Sequence, residues 1–588
     1  MVKNKTKNID FSFVLFLSLF VICDISRFFQ WDYWSAEAYP IVIIQLLSIY
    51  ILWEVLSNNQ KINFYKIDIY IILFLFFELT NSYVCSSSVL PPSDRIYNLI
   101  ALILGCIAFK LFWSKESHLS KFIIILIVLI LSESFLGLFQ YFTHTNFRFE
   151  SYKIIGTFKN PNIYASFVAL GLPISLYIFL FKFNAPKLKF LVVLLLGVLS
   201  IICLFLSSSR TTLIAVIIVS FFLISHKILQ ENLILSKYKR LFYSSAFIVF
   251  LLFVYFLWLQ DTHSVSGRFL IWKISFFDIF LKHPINGIGY GNLYIQYGNY
   301  QSDYFLSGRG TTKEMLLAGM TNYPFNEFLK ILVENGIIGI VLFALIVIMF
   351  IKNSLFITKE SILYSSIIGI ILLISLFSYP LEDPEISLIV FGCIMGVSVN
   401  QKSLFSINTN RSSVKIAFLL CCSILTIFYI SKLNAINQWR LANENITINE
   451  AKSYKLYHNI SSRFSENGIF LFDYGMQLFY VRDYDNCTKY LNKATRYVNS
   501  VELYSYLADS YFASKNNKLA EQNYIKASYM VPKTFTPVYN LFCFYRDTNQ
   551  NEKARKIAER IINMPVKIES DRVRQIKSEV LSYINSRR

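Results

Sequence analysis

The feature that most limits how this chain can fold is a series of long apolar runs that ends near residue 431. The chain has 588 residues, 55% of them hydrophobic, and a mean hydropathy of +0.47. These values lie far outside the range of soluble globular domains. Apolar runs of about 17–25 residues are long enough to cross a bilayer as helices. The sequence therefore predicts an all-α polytopic membrane protein with thirteen spans, centred near residues 17, 47, 76, 104, 131, 172, 197, 218, 250, 343, 371, 391 and 422.

The distribution of Lys and Arg predicts the orientation of these spans. If the N-terminal segment with Lys3, Lys5 and Lys7 is cytoplasmic, it and the loops on its side carry twenty of these residues. The short loops on the other side carry six (Arg27, Arg95, Arg148, Lys153, Lys159 and Arg210). Cytoplasmic loops keep the positive charge, so the formal charge of +19 is mostly a topology signal and does not favour nucleic-acid binding. An odd number of spans then places the C-terminal tail and the long loop of about residues 260–326 in the periplasm.

The first apolar run is expected to be a retained helix and not a signal peptide, and no metal or cofactor is predicted. The stretch "MVKNKTKNID" precedes the first span, but no small-residue cleavage site follows it, so we expect a retained helix. The nine cysteines form no CxxC pair, and most lie in apolar spans. A disulfide framework and a zinc site are therefore not expected.

The tail changes to polar amphipathic sequence that repeats with a period of 33 to 34 residues. A small residue recurs in the second helix of each unit, and a core position follows four residues later. Pro532 and Pro565 end their units. The pattern resembles the tetratricopeptide repeat, in which two-helix units stack to bury a shared core. We therefore divide the chain into a membrane domain, 1–431, and a helical repeat domain, 432–588, which either presents a surface to a partner protein or packs on the membrane domain.

Four stretches with chemistry-bearing residues fall on the predicted outer face. They read "GTFKNPNIYASFVALGLP" (156–173), "SSSRTT" (207–212), "SGRFLIWKISFFDIFLKHPINGIGYGNLYIQYG" (266–298) and "TNYPFNEFLKILVENGIIGIVLF" (321–343). The glycines of "HPINGIGYGN" suit a tight turn, and with no strand before them they do not predict a dinucleotide site. The tyrosines beside this turn are expected either to stack on sugars or to pack the loop (Tyr290, Tyr294, Tyr297, Tyr300 and Tyr304).

In this order and at these positions, the four stretches resemble the membrane glycosyltransferase superfamily of O-antigen ligases, O-antigen polymerases and bacterial O-oligosaccharyltransferases. The resemblance covers roughly residues 150–400. It implies transfer of a glycan from an undecaprenyl-diphosphate carrier to an acceptor on the periplasmic face of the inner membrane. The resemblance implies substrate-binding roles for six residues (Asn160, Asn162, Arg210, Arg268, Trp272 and Asn326).

Arg210 and Arg268 are the predicted catalytic pair on physical grounds as well. A lipid diphosphate presents its charge at headgroup level, where a planar guanidinium can meet it with two parallel hydrogen bonds. Negative charge grows on the leaving diphosphate as the glycosidic bond breaks, and two preplaced arginines would stabilise it. The alternative for Arg210 is that its side chain extends from a helix end into the headgroup region without binding substrate.

The chain departs from the family pattern where ligases commonly carry a histidine that is proposed to activate the acceptor. Tyr323, Pro324 and Phe325 stand there, and only Asn326 matches. Four residues therefore remain candidates for the general base (His283, Glu327, Glu133 and Glu78). Each has a structural alternative: a hydrogen bond within the turn for His283, a helix N-terminal charge for Glu327, and pairing with polar neighbours for the two acids within apolar spans.

Several function classes remain. The sequence predicts first a ligase-type transfer to lipid A core or a similar acceptor; the alternatives are transfer to protein Ser/Thr and polymerisation of O-antigen or capsule. A transporter would be expected to show inverted repeats with paired charges near the midplane, and none is visible in the sequence. A non-catalytic scaffold would leave Arg210 and Arg268 without a role. The predicted partners are the lipid-linked donor, a glycolipid, glycan or protein acceptor, the bilayer, and a protein on the repeats.

Overall fold

The computed structural model of this chain is almost entirely helical. It describes residues 11–28, 33–58, 61–85, 93–114, 118–144, 152–181, 187–231, 262–354, 359–566 and 569–586. The predicted span centred near residue 250 lies outside the described residues.

The membrane domain begins with nine helices, of which α6 and α7 form one interrupted span. Their bounds are α1 (Phe11–Phe28), α2 (Tyr33–Ser57), α3 (Lys66–Cys85), α4 (Ser93–Trp113), α5 (His118–Thr143), α6 (Pro161–Val168), α7 (Gly171–Phe181), α8 (Lys187–Leu206) and α9 (Arg210–Glu231).

The long loop of the sequence prediction is itself helical, and four apolar helices follow it. The loop contains α10 (Thr262–Lys273), a π-helix (Ile274–Ile279), a 3₁₀ turn (Phe280–Lys282), α11 (Asn292–Leu306) and α12 (Thr312–Leu317). The chain then continues as α13 (Glu327–Ser354), α14 (Lys359–Ser375), a 3₁₀ turn (Pro380–Glu382), α15 (Pro384–Ser398) and α16 (Ser412–Glu444).

Within the described residues, nine helical stretches are long and apolar enough to cross a membrane. Helices α14 and α15 are also apolar but have only 17 and 15 residues. Every predicted span centre that falls on described residues lies within one of these helices or α1. The multi-pass membrane architecture is confirmed, while the number thirteen and the orientation stay predictions.

A two-stranded antiparallel sheet joins two loops that the charge pattern places on the same side. Strands β1 (Lys61–Phe64) and β2 (Phe405–Asn408) pair with Ile62 opposite Ile407. The rings of Phe64 and Phe405 stack with centroids 4.6 Å apart. Cross-strand aromatic pairs of this kind stabilise short ladders. The sheet is a small exception to the all-α prediction.

The tail contains eight helices after α16, and the second to the seventh of them pack as three hairpins. They are α17 (Glu450–Ile460), α18 (Gly468–Tyr480), α19 (Tyr484–Ala494), α20 (Val501–Ala513), α21 (Asn517–Met530), α22 (Phe535–Asp547), α23 (Asn551–Asn563) and α24 (Asp571–Ser586). The side chains of five N-cap residues accept a backbone N–H and fix where helices α17 to α21 begin (Asn449, Asn467, Asp483, Ser500 and Asn516).

The period of the sequence is visible in the turns of three helical hairpins. Arg482, Lys515 and Asn549 adopt positive φ at spacings of 33 and 34 residues. The small residues of the sequence pattern lie fully buried one turn into the second helix of each hairpin (Cys487, Ala520 and Ala554). The hairpins thus follow the predicted period, while the assignment to the tetratricopeptide class stays a prediction.

Helix α16 runs without a break across the predicted domain boundary. Its first half is apolar, and its second half belongs to the core of the tail. There Trp439 is fully buried and its Nε1 donates a hydrogen bond to Asp473 at 3.2 Å. The predicted domain boundary therefore falls inside one continuous helix.

Candidate functional site

The turn "HPINGIGYGN" interlocks with a break in helix α13. The backbone N–H groups of Ile288 and Gly289 donate to the carbonyls of Val333 and Glu334 at 3.0 and 2.8 Å. In the other direction Ile337 donates to the Pro284 carbonyl at 2.9 Å. Non-helical backbone is tolerated at membrane depth where protein partners satisfy its polar groups. The turn supplies those partners for the broken helix.

Glycine is required on both sides of this interlock. Gly287 has φ +69°, and a Cβ there would lie 2.5 Å from the Glu334 backbone. Gly336, the break itself, has φ +64°, and a Cβ would collide with the Ile285 carbonyl. Only glycine adopts these conformations and allows this approach at little cost.

Two polar side chains of α3 support the interlocked backbones. Asn81 donates to the carbonyls of Asn286 and Glu334 at 2.6 and 3.4 Å. Glu78, one of the candidate bases, is buried one turn earlier and accepts from the Asn335 side chain at 3.2 Å. Glu78 therefore lies beside the break in α13 and contacts Asn335, the residue directly before it.

The turn "GTFKNPN" is held by two side chains of α5. Glu133, another candidate base, accepts from the backbone N–H of Thr157 at 3.0 Å and from its hydroxyl at 2.5 Å. Gln140 accepts from Gly156 at 2.8 Å and donates back to its carbonyl at 2.7 Å. Asn160 then caps α6 by accepting from the Asn162 backbone at 2.7 Å. These bonds hold the turn in place from Gly156 to Asn162.

Arg27 sits at the centre of a buried ionic cluster beside this turn. Only 2% exposed, it pairs with Glu385 and lies 3.3 Å from Asp383. It also donates to the hydroxyl of Tyr39 at 2.7 Å and to that of Thr157 at 3.3 Å. A buried charge with this many partners is held at one position, because any departure would leave carboxylates unpaired.

A second ionic cluster centres on Glu382. Arg95 and Lys330 both pair with its carboxylate, from α4 and α13. Burial opposes ionisation of Glu382, but the two cations outweigh it and hold its pKa at about 2. Glu382 is therefore an ionised anchor and a poor proton acceptor. The adjacent backbone N–H of Leu381 donates to Glu327, a candidate base, at 3.0 Å.

The two clusters border a cleft of about 390 Å³. A volume in this range is typical of small-molecule sites. Its lining combines the two buried arginines and their acids with amides and tyrosines (Arg27, Arg95, Asn160, Tyr294, Asn322, Tyr323, Tyr379, Glu382 and Asp383). The hydrophobic side chain of Ile469, from helix α18 of the tail, also lines it. The cleft therefore lies between the membrane domain, the loop and the tail.

Tyr323, in the segment before Asn326, forms an aromatic pair with Tyr379 from the loop between α14 and α15. Tyr323 and Tyr379 stack with centroids 4.3 Å apart, and the Tyr379 hydroxyl accepts from Asn160 at 2.8 Å. Burial raises the pKa of Tyr379 to about 12. Both residues line the cleft, where Tyr379 is a neutral hydrogen-bonding group at physiological pH.

Neither Arg210 nor Arg268 is among the residues that line the cleft. Arg210 is the exposed first residue of α9, directly after Ser208 at φ +55° and the buried Ser209. The Arg268 guanidinium lies 5.4 Å from the ring centroid of Phe325, whose ring meets that of Tyr379 edge-on. Arg268 is thus connected to the tyrosine pair through the ring of Phe325.

Three other predicted residues make structural contacts. Trp272 donates from Nε1 to the Pro324 carbonyl at 2.6 Å and so holds the segment before α13. Asn326 accepts from the Leu329 backbone at 2.9 Å, the bond of a helix N-cap. His283 is exposed, and its backbone carbonyl accepts from Gly287 at 2.9 Å to close the turn.

The tyrosines of the loop divide between packing and the cleft. Tyr290, Tyr297 and Tyr304 are at most 8% exposed and belong to the packed interior. Tyr294 lines the cleft. The sequence left open whether these five tyrosines stack on sugars or pack the loop, and three of them pack in the interior.

The loop is docked on the tail through neutral hydrogen bonds. Gln301 donates to the Met530 carbonyl at 2.5 Å, and Asn499 donates to the Ile295 carbonyl at 2.7 Å. The Tyr504 hydroxyl donates to Asn299 at 3.2 Å. Helix α11 of the loop packs on α21 of the tail along this interface. The tail thus holds the helix that carries Tyr294.

Sequence reasoning missed Arg27, Arg95, Tyr379 and Glu382 as site residues. The two arginines were visible only as charges of short outer loops. Their occurrence at the ends of apolar spans was a usable signal, since ionisable residues at such depth normally face the protein interior and mark functional regions.

Comparison with known families supports the resemblance found in the sequence. Residues 195–344 match the family model described as O-antigen ligase. A search of curated proteins found no match to this chain. The matched segment contains Arg210, Arg268, the interlocked turn and the break in α13. The match confirms the resemblance to the O-antigen ligase superfamily, and it supports a membrane glycosyltransferase of the ligase and polymerase type.

Proposed function

We propose, from the O-antigen ligase domain at residues 195–344, that this protein transfers a glycan from undecaprenyl diphosphate to an acceptor at the periplasmic face. The observation that carries the proposal is the family match itself. The matched segment contains Arg210, at the start of a membrane helix, and the glycine turn that is hydrogen-bonded to the break in α13. A ligase-type reaction, with lipid A core or a similar acceptor, is the first candidate.

In this proposal Arg210 and Arg268 bind the diphosphate and stabilise the charge that develops on it as the glycosidic bond breaks. Arg210 is exposed at the first turn of α9, where the helix dipole also favours an anion. Undecaprenyl diphosphate leaves as the anomeric carbon bonds to the acceptor oxygen, and the acceptor proton goes to a base.

Among the four candidate bases, we assign positioning roles to Glu133 and Glu327. Both carboxylates already accept backbone N–H groups, from Thr157 and Leu381. A carboxylate engaged in this way fixes a turn and is less available to a substrate hydroxyl. His283, exposed at the turn, and Glu78, beside the break in α13, remain the candidates for proton transfer.

The test is transfer by purified protein in lipid nanodiscs from a defined undecaprenyl-diphosphate glycan. Arg210→Ala should lose about 2–4 kcal/mol of transition-state stabilisation, by analogy with an oxyanion-hole donor, or roughly a hundred- to thousand-fold in rate. Arg210→Lys keeps the charge without the planar fork and should fall well short of the wild type.

Lys227→Ala is the matched control, because it removes a cation from the other end of the same helix α9. It should transfer at close to the wild-type rate. Near-normal turnover by Arg210→Ala at matched abundance would show that Arg210 is an ordinary helix-end residue. Absence of transfer by the wild type with every acceptor would contradict the enzyme assignment.

Deletion of the gene distinguishes the acceptors. A lost lipopolysaccharide ladder with the core retained indicates a ligase, and a single-repeat ladder indicates a polymerase. Loss of the glycoprotein signal alone indicates transfer to protein Ser/Thr. The absence of the family's histidine before Asn326 weighs somewhat against the ligase, and the tail favours a protein acceptor or partner.

A further inference from the structure

The cleft beside the two ionic clusters has the composition of a carbohydrate site. Its lining offers the amides of Asn160 and Asn322, the rings of Tyr294 and Tyr323, and the hydroxyl of Tyr379. Amide, hydroxyl and carboxylate groups match the paired donors and acceptors of a sugar ring, and aromatic rings match its apolar faces. A small number of fixed polar groups in a concave site gives orientation and specificity.

The polar side of this cleft is held by ion pairs and hydrogen bonds within the protein. Arg27 and Arg95 are 2% and 6% exposed, and their carboxylate partners are Glu385 and Glu382. Asn160 is fixed by its role as helix cap and by its bond to Tyr379. A preorganised site of this kind loses little entropy when it binds.

The opposite side of the cleft depends on the tail. Ile469, the second residue of α18, lines the cleft directly. Tyr294 lines it from α11, and the next residue, Ile295, has its carbonyl held by Asn499 at 2.7 Å. The tail therefore contributes one wall residue and fixes the backbone that carries another.

We propose that this cleft binds a glycan and that the C-terminal helical domain supplies its outer wall, with Ile469 as a specificity-determining residue and Asn499 as a positioning residue. The inference rests on the proposed function and adds to it a substrate subsite outside the diphosphate-binding arginines. Either the donor glycan or a glycan acceptor has the required chemistry.

The first experiment measures binding and needs no turnover. The probe is free oligosaccharide prepared from the producing cell's own surface polysaccharide, and its binding to the full-length protein is followed by saturation-transfer NMR. Ile469→Trp fills the cleft and should weaken binding by about tenfold or more. Ile448→Trp places the same residue at an 80% exposed position of the tail and should bind as the wild type does.

The second experiment identifies which substrate uses the cleft. In the transfer assay, Ile469→Ala and Asn499→Ala should raise KM several-fold and leave kcat nearly unchanged, since neither touches the reacting atoms. A change in the donor KM alone assigns the cleft to the donor glycan, and a change in the acceptor KM alone assigns it to the acceptor. A defect in folding would lower kcat and protein abundance instead.

The outcomes separate this inference from the proposed function. If the wild type transfers glycan but Ile469→Trp binds the oligosaccharide with wild-type affinity and shifts neither KM, the cleft is not a glycan site. If the wild type does not bind the oligosaccharide at all, the inference is also overturned. If the wild type binds the oligosaccharide and Ile469→Trp does not, but no transfer is detected, the subsite stands and the enzymatic proposal fails.

Discussion

The two walls of the cleft are held in place by different forces. On the membrane side, Arg27, Arg95 and Glu382 are buried in ion pairs that connect distant helices. On the loop and tail side, Gln301, Asn499 and Tyr504 make neutral hydrogen bonds. Separating buried charges leaves them unpaired at a high cost, whereas neutral amides and hydroxyls can exchange their partners for water at a small one. We therefore expect the membrane wall to be held more firmly than the loop–tail wall.

The largest effect is expected on the membrane wall. Arg27→Ala leaves Glu385 and Asp383 without their cation, and breaking a buried ion pair in this way costs about 3–5 kcal/mol. The purified variant should unfold at a clearly lower temperature than the wild type in the same detergent. The control is Arg440→Ala, which removes an ion pair that is about half exposed and should change stability by less than about 1 kcal/mol. Equal stability of both variants would contradict the proposed rigidity of this wall.

A smaller effect is expected when the loop–tail interface is wedged apart. A side chain at Gly298 would start 2.8 Å from Met320 and 2.9 Å from Met530. Gly298→Leu should therefore weaken docking of the tail by about 1–3 kcal/mol, the usual cost of overpacking. Limited proteolysis should then cut the chain faster near the loop and tail, while the membrane helices stay protected.

The matched control for this variant is Gly267→Leu in helix α10, where a Cβ meets no atom within 4 Å. It should leave the proteolysis pattern unchanged. If Gly298→Leu is cut no faster than this control, the loop–tail wall is as firmly held as the ionic one, and the comparison between the two walls no longer applies.

The smallest effect is expected at a partly exposed ion pair of the loop. Glu314 caps α12 and lies 2.8 Å from Lys273. Burial works against ionisation, but the hydrogen bonds from Lys273 and Thr311 lower its pKa to about 2. A lowered folded-state pKa stabilises the protein above the unfolded value near 4.5, and this contribution is lost as pH falls from there toward 2. Because Glu314 is solvent-screened, Glu314→Gln should cost less than about 1 kcal/mol at pH 7.

The measurement is the free energy of unfolding of the wild type and Glu314→Gln at pH 7 and pH 3. The difference between them should shrink at the lower pH. A difference that grows on acidification would mean that Glu314 is not held ionised in the folded protein.

Helix positions were predictable because apolar length alone encodes a membrane span, and described helices lie at twelve of the predicted centres. The turns around Gly287 and Asn160 were recognised from motifs, since their glycine, proline and asparagine have fixed local roles. Ion pairs could not be predicted in this way. Arg27 and its partner Glu385 are 358 residues apart in the chain, and no local pattern carries such a separation.

The same limit applies to the tail wall. Asn499 and Ile295 are separated by 204 residues, and both read locally as ordinary helix-boundary and loop residues. Only the packing of the tail on α11 brings them together. The stacking of Tyr323 on Tyr379 was equally invisible, because Tyr323 was noted in the sequence only as a departure from the family pattern.

The unbroken helix α16 gives the tail a defined rotational phase. Its 33 residues make a rod about 50 Å long, some 20 Å more than the hydrocarbon core requires. One residue inserted near Ser431 would turn the tail by about 100° about the rod and carry Ile469 away from the cleft. Seven inserted residues would restore the angle to within about 20° but raise the tail by about 10 Å. A tail exchanged between related proteins would therefore have to preserve the number of residues in this helix as well as their sequence.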